Sequence, residues 1–190
     1  MIHPLDKPIW SALATRQQGF AQGGAVARRF PADVSPFVAT KDGSAPSAAA
    51  VVELIPPGDD VSFLEISPPE PPAGVAATTA AALQMTWERF PEGRAEPAIE
   101  PLGDADATEM LALATLTRPG PFRARTHALG RFIGMRDGSR LVAMAGERLK
   151  RARVTPLGIE GDRVVHAEDA QGRVITARTH PRLLGHRAML

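Results

Sequence analysis

The sequence contains no cysteine and no tyrosine, and aromatic residues make up 5% of it. Without cysteine, these 190 residues cannot form a disulfide, a thiolate metal site or a cysteine nucleophile. No apolar run approaches the roughly 18 residues needed to cross a bilayer, and the first residues lack the pattern of a secretory signal. The formal net charge of +1 is too small to indicate a nucleic-acid partner. We therefore expect a cytoplasmic protein with neither a nucleic-acid nor a membrane partner.

Proline, in contrast, is abundant, and eleven of the 18 prolines lie within the first 72 residues. Proline fixes φ and removes a backbone donor, so this part is predicted to consist of short elements joined by stiff loops. Hydrophobic residues make up 44% of the chain, which is enough for a packed core. The succession of helical and strand-like patterns predicts an α/β (α+β) fold.

Two helices are predicted in the N-terminal part. The first covers residues 7–19 and has Pro8 in its first turn. The second is capped by Ser44 and stopped by Pro56 and Pro57. Strands are predicted within residues 27–39, 60–66 and 82–90.

The patterns become clearer after residue 97. A short strand over 97–102 is followed by a helix over 103–117, at whose start Asp106 and Glu109 have the spacing of a capping box. Pro119 cannot continue that helix, and residues 123–130 indicate a second, short helix.

A hairpin is predicted over residues 131–149. Two apolar runs flank Asp137 and Gly138, a pair that accepts the positive φ values of a tight turn. Two later segments, 162–169 and 172–178, alternate apolar and polar residues and predict strands. The first of them could extend the hairpin or pair with its second strand, which would cover an exposed sheet edge.

The run "IEPLGDADATEMLALATLTRPGPFRARTHALGRFIGMRDGSRLVAMAGERL", residues 99–149, resembles the opening of the GNAT family of acetyl-CoA-dependent N-acetyltransferases. The shared order is strand, helix, the "TRPGPF" loop, a short helix and a hairpin. The resemblance implies a mixed sheet with helices, acetyl-CoA as co-substrate and a small-molecule amine as acceptor. It also implies an N-terminal α+β region over 1–97 and the first half of a GNAT-like core over 98–149.

In that family the hairpin precedes a splayed strand and a glycine-rich loop that opens a helix. The backbone N–H groups of such a loop bind the coenzyme pyrophosphate. In this sequence Gly158 and Gly161 precede a strand-like run, and Gly172 lies between two such runs. All three glycines are therefore predicted to make turns, and we expect a GNAT-like chain that is truncated before this loop and has impaired or no activity.

The run "GERLKRARVTPLGIEGDRVVHAEDAQGRVITARTHPRLL", residues 146–184, resembles the start of a MOSC domain, named for the molybdenum-cofactor sulfurase C-terminus. This second resemblance implies a β-rich segment over 150–190 that handles sulfur or the molybdenum cofactor. It places Arg163 near the cofactor phosphate, a role that suits the planar guanidinium fork. The lysine and serine that the family places before this region are missing.

Two alternatives to an acetyltransferase therefore stay open. One is a cofactor-binding fragment of the MOSC type. The other is a non-catalytic hybrid whose two parts meet within "GERL", residues 146–149, where both patterns can be followed.

The remaining chemistry is sparse. His127 is a candidate general base beside the acceptor groove, or a packed or solvated histidine. Four arginines around "PGPF" form either a face for anions or a solvated loop; they are Arg118, Arg123, Arg125 and Arg131. His166 and Glu168 share one face of a predicted strand, but a surface pair is the simpler interpretation. We assign no catalytic residue and expect no metal site.

Overall fold

The computed structural model describes residues 5–71, 75–79 and 98–150 in full, and the backbone of 163–168 and 174–179. Within these ranges the chain forms three α-helices: α1 (Pro8–Ala14), α2 (Ala45–Leu54) and α3 (Ala107–Thr117). Three 3₁₀ turns cover Gln18–Phe20, Asp104–Asp106 and Thr126–Leu129. Within these residues no helix has the length and apolar character needed to cross a membrane.

Among the described residues eight strands form two antiparallel sheets, which confirms the α/β (α+β) fold class. The first sheet has the order β1 (Gln22–Gly23), β2 (Ala27–Arg29) and β3 (Val38–Thr40). The second follows chain order through β4 (Glu100–Leu102), β5 (Phe132–Asp137), β6 (Arg140–Lys150), β7 (Arg163–Glu168) and β8 (Val174–Thr179). The hairpin, the two later strands and the pairing of the first of them with the hairpin are all confirmed.

Helix α1 ends at Ala14, five residues before the predicted end. Thr15 has left the helical backbone region, with φ −133° and ψ −101°. Its hydroxyl donates to the Ser11 carbonyl, while the Gln17 N–H donates to Ala12 over 2.9 Å. The chain thus tightens into a 3₁₀ turn, and the Gln17 side chain turns inward and is buried.

The cap of α2 is the predicted one. The Ser44 hydroxyl accepts the Ser47 N–H, and the Ser47 hydroxyl donates to Asp42 Oδ1 over 2.7 Å. Hydrogen bonds from the Ser44 and Ser47 side chains and from the Ser44 backbone lower the pKa of Asp42 to about 2. Three short polar side chains therefore fix the point at which this helix begins.

The strand predicted over 60–66 is wrong. Ser62 makes only an isolated parallel bridge with Phe37, through Val38 N–H to the Ser62 carbonyl and Ser62 N–H to the Pro36 carbonyl. The segment then leaves the sheet because Glu65 pairs with Lys7 and the Ile66 N–H donates to the Asp6 carbonyl. The strand predicted over 82–90 lies outside the described residues.

The capping box predicted for α3 is also wrong, although the helix is present. Asp106 already has helical φ and ψ, and its side chain caps no amide of α3. Its Oδ2 accepts the Gly103 N–H over 2.9 Å, while Oδ1 accepts from Arg136 over 2.7 Å. Glu109 binds Arg136 at 2.5 Å and accepts the Leu141 N–H at 2.8 Å. Both carboxylates therefore join α3 to the hairpin.

Arg136 is the centre of this junction. It contacts three carboxylates, those of Glu100, Asp106 and Glu109, and the hydrogen bonds with Glu109 and then Glu100 raise its pKa. An arginine fork suits several carboxylates at once because its five N–H donors point in fixed directions. One side chain on β5 thereby connects the neighbouring strand β4, the 3₁₀ turn of Asp104–Asp106 and helix α3.

The hairpin turn has Gly138 at φ 60°, and Asp137 faces Arg140 across the last pair. Further along, Gly146 lies under the ring of Phe132. A Cβ at this position would come within 2.2 Å of the Phe132 ring, so only glycine fits here. Phe132 joins Met110 and Leu141 in the cluster between α3 and the hairpin.

Strand β6 continues four residues beyond its last pair with β5, Phe132 with Gly146. The side-chain amide of Gln17 lies beside this extension: Oε1 accepts the Lys150 N–H over 3.0 Å, and Nε2 donates to the Arg148 carbonyl over 3.4 Å. Nε2 also donates to the Leu129 carbonyl over 3.1 Å. A single amide thus supplies the contacts that a neighbouring strand would make.

The N-terminal part shares a hydrophobic core with the second sheet. Ile9, Leu13, Phe30 and Val34 belong to one buried cluster that also includes Leu129 and Leu149. The cluster spans both sides of the predicted boundary at residue 97, so the N-terminal part packs against the end of β6.

We predict that Gln17→Ala lowers the free energy of unfolding by about 3 kcal/mol, because it leaves buried backbone groups of β6 without partners. Urea unfolding followed by circular dichroism measures the loss. Gln18→Ala is the control because Gln18 is exposed. Equal stability of the two variants would contradict the bridging role of Gln17.

A second prediction concerns the stability of the fold at acidic pH. Hydrogen bonds from the Leu141 N–H and Arg136 hold the pKa of Glu109 below its ordinary value of 4.5. A carboxyl whose folded pKa is depressed stabilises the fold above the unfolded pKa, and this contribution is lost as pH falls through the folded value. Between pH 6 and pH 3 we expect wild type to lose more stability than Glu109→Gln. Parallel losses in urea titrations would contradict this.

Candidate functional site

The candidate site lies where the loop of residues 118–125, called here the 118–125 loop, passes over β6. The loop leaves α3 through Arg118, whose φ of 54° is the left-handed conformation that ends many helices. Gly120 follows with φ 117°, which favours glycine. The chain thereby turns sharply after α3, and the Pro121 carbonyl accepts a hydrogen bond from the Arg148 guanidinium on β6.

Thr126 holds the other end of the loop. Its hydroxyl accepts the Arg123 N–H over 2.7 Å and donates to the Val34 carbonyl over 2.7 Å. The next contact outward is between Arg125 and Asp33: the Arg125 N–H donates to the Asp33 carbonyl at 2.8 Å, and their side chains form an exposed ion pair at 3.1 Å. The N-terminal part therefore fixes where the 118–125 loop ends.

Arg148 lies beneath the loop with 8% of its surface exposed. Its Nη2 donates to the Pro121 carbonyl, and Nε is buried with no partner among the described residues. Burial lowers the pKa of this guanidinium to about 10, because desolvation disfavours the charged form. Arg148 is also the extra residue of a bulge, since Glu147 pairs with Val165 and Leu149 with Val164.

Glu147, the preceding residue, is buried as well, at 5% exposure. Its Oε2 accepts the Arg131 N–H over 3.3 Å and lies 3.8 Å from Lys150 Nζ. Gly130 permits this approach, since a Cβ there would come within 2.5 Å of the Glu147 Cβ and carbonyl oxygen. Two oppositely charged residues thus follow one another inside the sheet, each beside the segment that connects α3 to β5.

His127, the candidate base, lies in the 3₁₀ turn that follows the loop. Its Nε2 is 3.0 Å from Asp104 Oδ1, and its Nδ1 is buried without a partner among the residues described. A carboxylate beside one ring nitrogen favours a proton on that nitrogen and leaves the lone pair on the other. Asp104 therefore orients the ring of His127, and an amine could reach the Nδ1 lone pair only where the packing around this buried atom opens.

The four arginines predicted around "PGPF" are all exposed. Arg125 pairs with Asp33, whereas the structure gives no ion pair to Arg118, Arg123 or Arg131 within its described part. The loop therefore has a cationic surface outside and one buried guanidinium beneath it. Sequence reasoning missed Arg148 because "GERL" was interpreted as a junction of two patterns. The signal was a charged pair within an apolar hairpin strand.

The residues singled out after β6 have described backbones only. Arg163 begins β7 opposite Lys150 on one side and Thr179 on the other, while His166 lies opposite Gly146. The cofactor role of Arg163 and the pairing of His166 with Glu168 stay predictions. Gly158, Gly161 and Gly172 lie outside the described residues. Within the described residues no cluster of three or more His, Asp or Glu could hold a metal ion.

A shallow groove of about 690 Å³ lies on one face of α3. The residues that line it are Thr108, Leu111, Ala112, Thr115, Leu116 and Arg118. Its walls carry hydroxyls and methyl groups and one guanidinium, a composition that provides no acid or base for chemistry.

A solved structure of similar fold comes from Novosphingobium aromaticivorans DSM 12444 and is assigned to the GNAT family of acetyltransferases. It matches this chain with a TM-score of 0.61 and 31% sequence identity. The match covers 78% of this chain and 66% of that protein, so this chain spans about two thirds of its length. The fold is therefore GNAT-like. No family model and no curated protein matches the sequence.

We predict that Thr126→Val destabilises the protein by roughly 1–3 kcal/mol, since the buried Val34 carbonyl and the Arg123 N–H each lose a partner while the shape is kept. Thr126→Ser retains the hydroxyl and is the matched control. Thermal unfolding of the two variants provides the comparison. A valine variant as stable as the serine variant would show that the hydroxyl does not hold the loop.

Proposed function

We propose that this chain is a member of the GNAT family whose chemistry is acetyl transfer from acetyl-CoA to an amine. The observation that carries the proposal is the 31% identity, over 78% of this chain, to the Novosphingobium aromaticivorans protein that is assigned to the GNAT family. The order of β4, α3, the 118–125 loop and the β5–β6 hairpin supports it, since the same order underlies the resemblance found in the sequence.

The reaction requires a neutral amine and a polarised thioester. The amine nitrogen bonds to the acetyl carbon, the C–S bond breaks, and the coenzyme leaves as a thiol after the amine proton has moved. A base that accepts this proton accelerates the step when it lies within hydrogen-bonding reach of the amine. His127 is our candidate, because Asp104 Oδ1 lies 3.0 Å from Nε2 and favours a free lone pair on Nδ1.

We further propose that the chain carries out this reaction weakly or not at all. Acetyl-CoA binding in the family depends on a glycine-rich loop after the hairpin, and the glycines at positions 158, 161 and 172 do not have its spacing. Backbone N–H groups at a helix N-terminus are what such a loop offers to a pyrophosphate. Without them, affinity for the coenzyme is expected to be low.

Calorimetry with acetyl-CoA tests the proposal. We expect binding in the millimolar range, far weaker than the micromolar affinity of a complete pyrophosphate site. No heat at several millimolar acetyl-CoA would end the acetyltransferase proposal. Tight binding would instead contradict the proposed impairment.

Turnover is measured by a thiol reagent that reports released coenzyme A. The chain has no cysteine, so the protein itself adds no thiol signal. If slow acetylation of an amine mixture is detected, His127→Asn should reduce it at least tenfold, whereas Arg140→Gln, an exposed change on β6, should not. Equal rates for wild type and His127→Asn would exclude His127 as the base.

A further inference from the structure

The guanidinium of Arg148 is buried without a carboxylate partner in the part of the chain that the structure describes. It is 8% exposed and donates to a neutral carbonyl, that of Pro121, while its Nε–H meets no acceptor among the described residues. A buried charge is costly unless it is paired and hydrogen-bonded. The arrangement therefore favours an anion that would complete the site.

Arg29 shows how the same fold satisfies a buried arginine. It is 6% exposed, and three of its nitrogens find acceptors: Nε the Phe30 carbonyl at 3.2 Å, Nη1 the Leu54 carbonyl at 2.8 Å and Nη2 the Asp59 carboxylate at 2.8 Å. Arg148 has similar burial, but the described residues give it neither a carboxylate nor an acceptor for Nε–H. The difference lies in the partners, so burial alone does not explain the unpaired Nε–H of Arg148.

The position of the single contact is informative. In a guanidinium, Nε–H and one N–H of Nη2 point in the same direction and form the fork that receives a carboxylate through two parallel hydrogen bonds. In Arg148 the Pro121 carbonyl accepts from Nη2, while Nε–H has no acceptor among the described residues, so the fork is not filled by them. An oxyanion that displaced the carbonyl would use both halves.

For a carboxylate to reach both halves of the fork, the Pro121 carbonyl has to withdraw from Arg148. Gly120 and Pro121 are exposed, and the loop is anchored at its two ends, by the Arg118 N–H to Ala114 at 2.8 Å and by the Thr126 hydroxyl. Its outer surface carries the exposed Arg118 and Arg123, for which the described residues offer no ion pair, and these two charges attract anions toward the loop.

We propose that Arg148 binds the carboxylate of the acyl acceptor beneath the 118–125 loop, so that the acceptors of this chain are amines that also bear a carboxylate. This inference rests on the proposed function, because only an acetyl-transfer reaction has an acyl acceptor. The binding of a carboxylate by Arg148 can be measured without any acetyl transfer.

The direct test follows the Nε–H resonance of Arg148 by NMR in the full-length, ¹⁵N-labelled chain, with through-bond assignment. The probes are L-alanine, L-alanine methyl ester, inorganic phosphate and acetyl-CoA. We expect L-alanine to shift the resonance and its methyl ester, which lacks the carboxylate, to leave it in place. A shift only with phosphate or acetyl-CoA would assign Arg148 to the donor and overturn the proposal, as would no shift with any probe.

Variants provide the second test. Arg148→Lys keeps the charge but removes the Nε–H fork, and should weaken L-alanine binding about tenfold or more without changing the weak binding of its methyl ester. Arg140→Gln, exposed on the same strand, is the control. Unchanged L-alanine affinity in a folded Arg148→Lys variant would overturn the proposal. If that variant does not fold, the wild-type titration decides alone.

The outcome is separable from that of the proposed function. L-alanine binding at Arg148 without acetyl-CoA binding would sink the acetyltransferase proposal and leave the carboxylate site. Acetyl-CoA binding and turnover with no response of Arg148 to L-alanine would contradict the carboxylate site and leave the acetyltransferase proposal in place.

Discussion

The structure depends on how the last third of β6 is held after β5 has ended. Backbone groups of a strand inside a protein need partners, and here the side chain of Gln17 supplies them at Arg148 and Lys150. Because the strand stays extended to Lys150, Leu149 can enter the hydrophobic cluster of the N-terminal part. The same constraint fixes where the two charged residues before it, Glu147 and Arg148, are buried.

The 118–125 loop acts together with this strand. Thr126 ties the end of the loop to Val34, and Arg148 ties its middle to β6. Since Gln17 and Val34 both belong to the N-terminal part, that part positions the strand and the loop relative to each other. The candidate site is therefore assembled from three separate stretches of chain, although its two buried charged residues, Glu147 and Arg148, belong to the second half.

Local features of the fold were accessible from the sequence. The Ser44 cap, the Gly138 turn and helix α3 each depend on residues within a few positions of one another. Such local signals can be recognised in a short stretch of sequence. The capping box of α3 failed because Asp106 and Glu109 have a distant competitor in Arg136, which takes both carboxylates. A spacing rule cannot include an arginine that is 27 residues from Glu109.

The candidate site was less predictable for the same reason. His127 and the arginines of the loop could be named from their types and positions. Arg148 and Gln17 could not, because the meaning of each depends on a partner far along the chain: 27 residues for Arg148 and Pro121, and 133 for Gln17 and Lys150. Within the hairpin pattern, Glu147 and Arg148 are two polar residues near a strand end. Only the packed structure shows that both are buried.

The hydrogen bond between Thr126 and Val34 has a consequence for the folding of the protein during its synthesis. The two residues are 92 positions apart. At a synthesis rate of about 5–20 residues per second, Val34 leaves the ribosome roughly 5–20 seconds before Thr126 does. During that time Ile9, Leu13 and Phe30 have no Leu129 or Leu149 to cover them. Each nascent chain therefore passes through an interval in which its first part presents an apolar surface, and codon usage between the two segments sets how long that interval lasts.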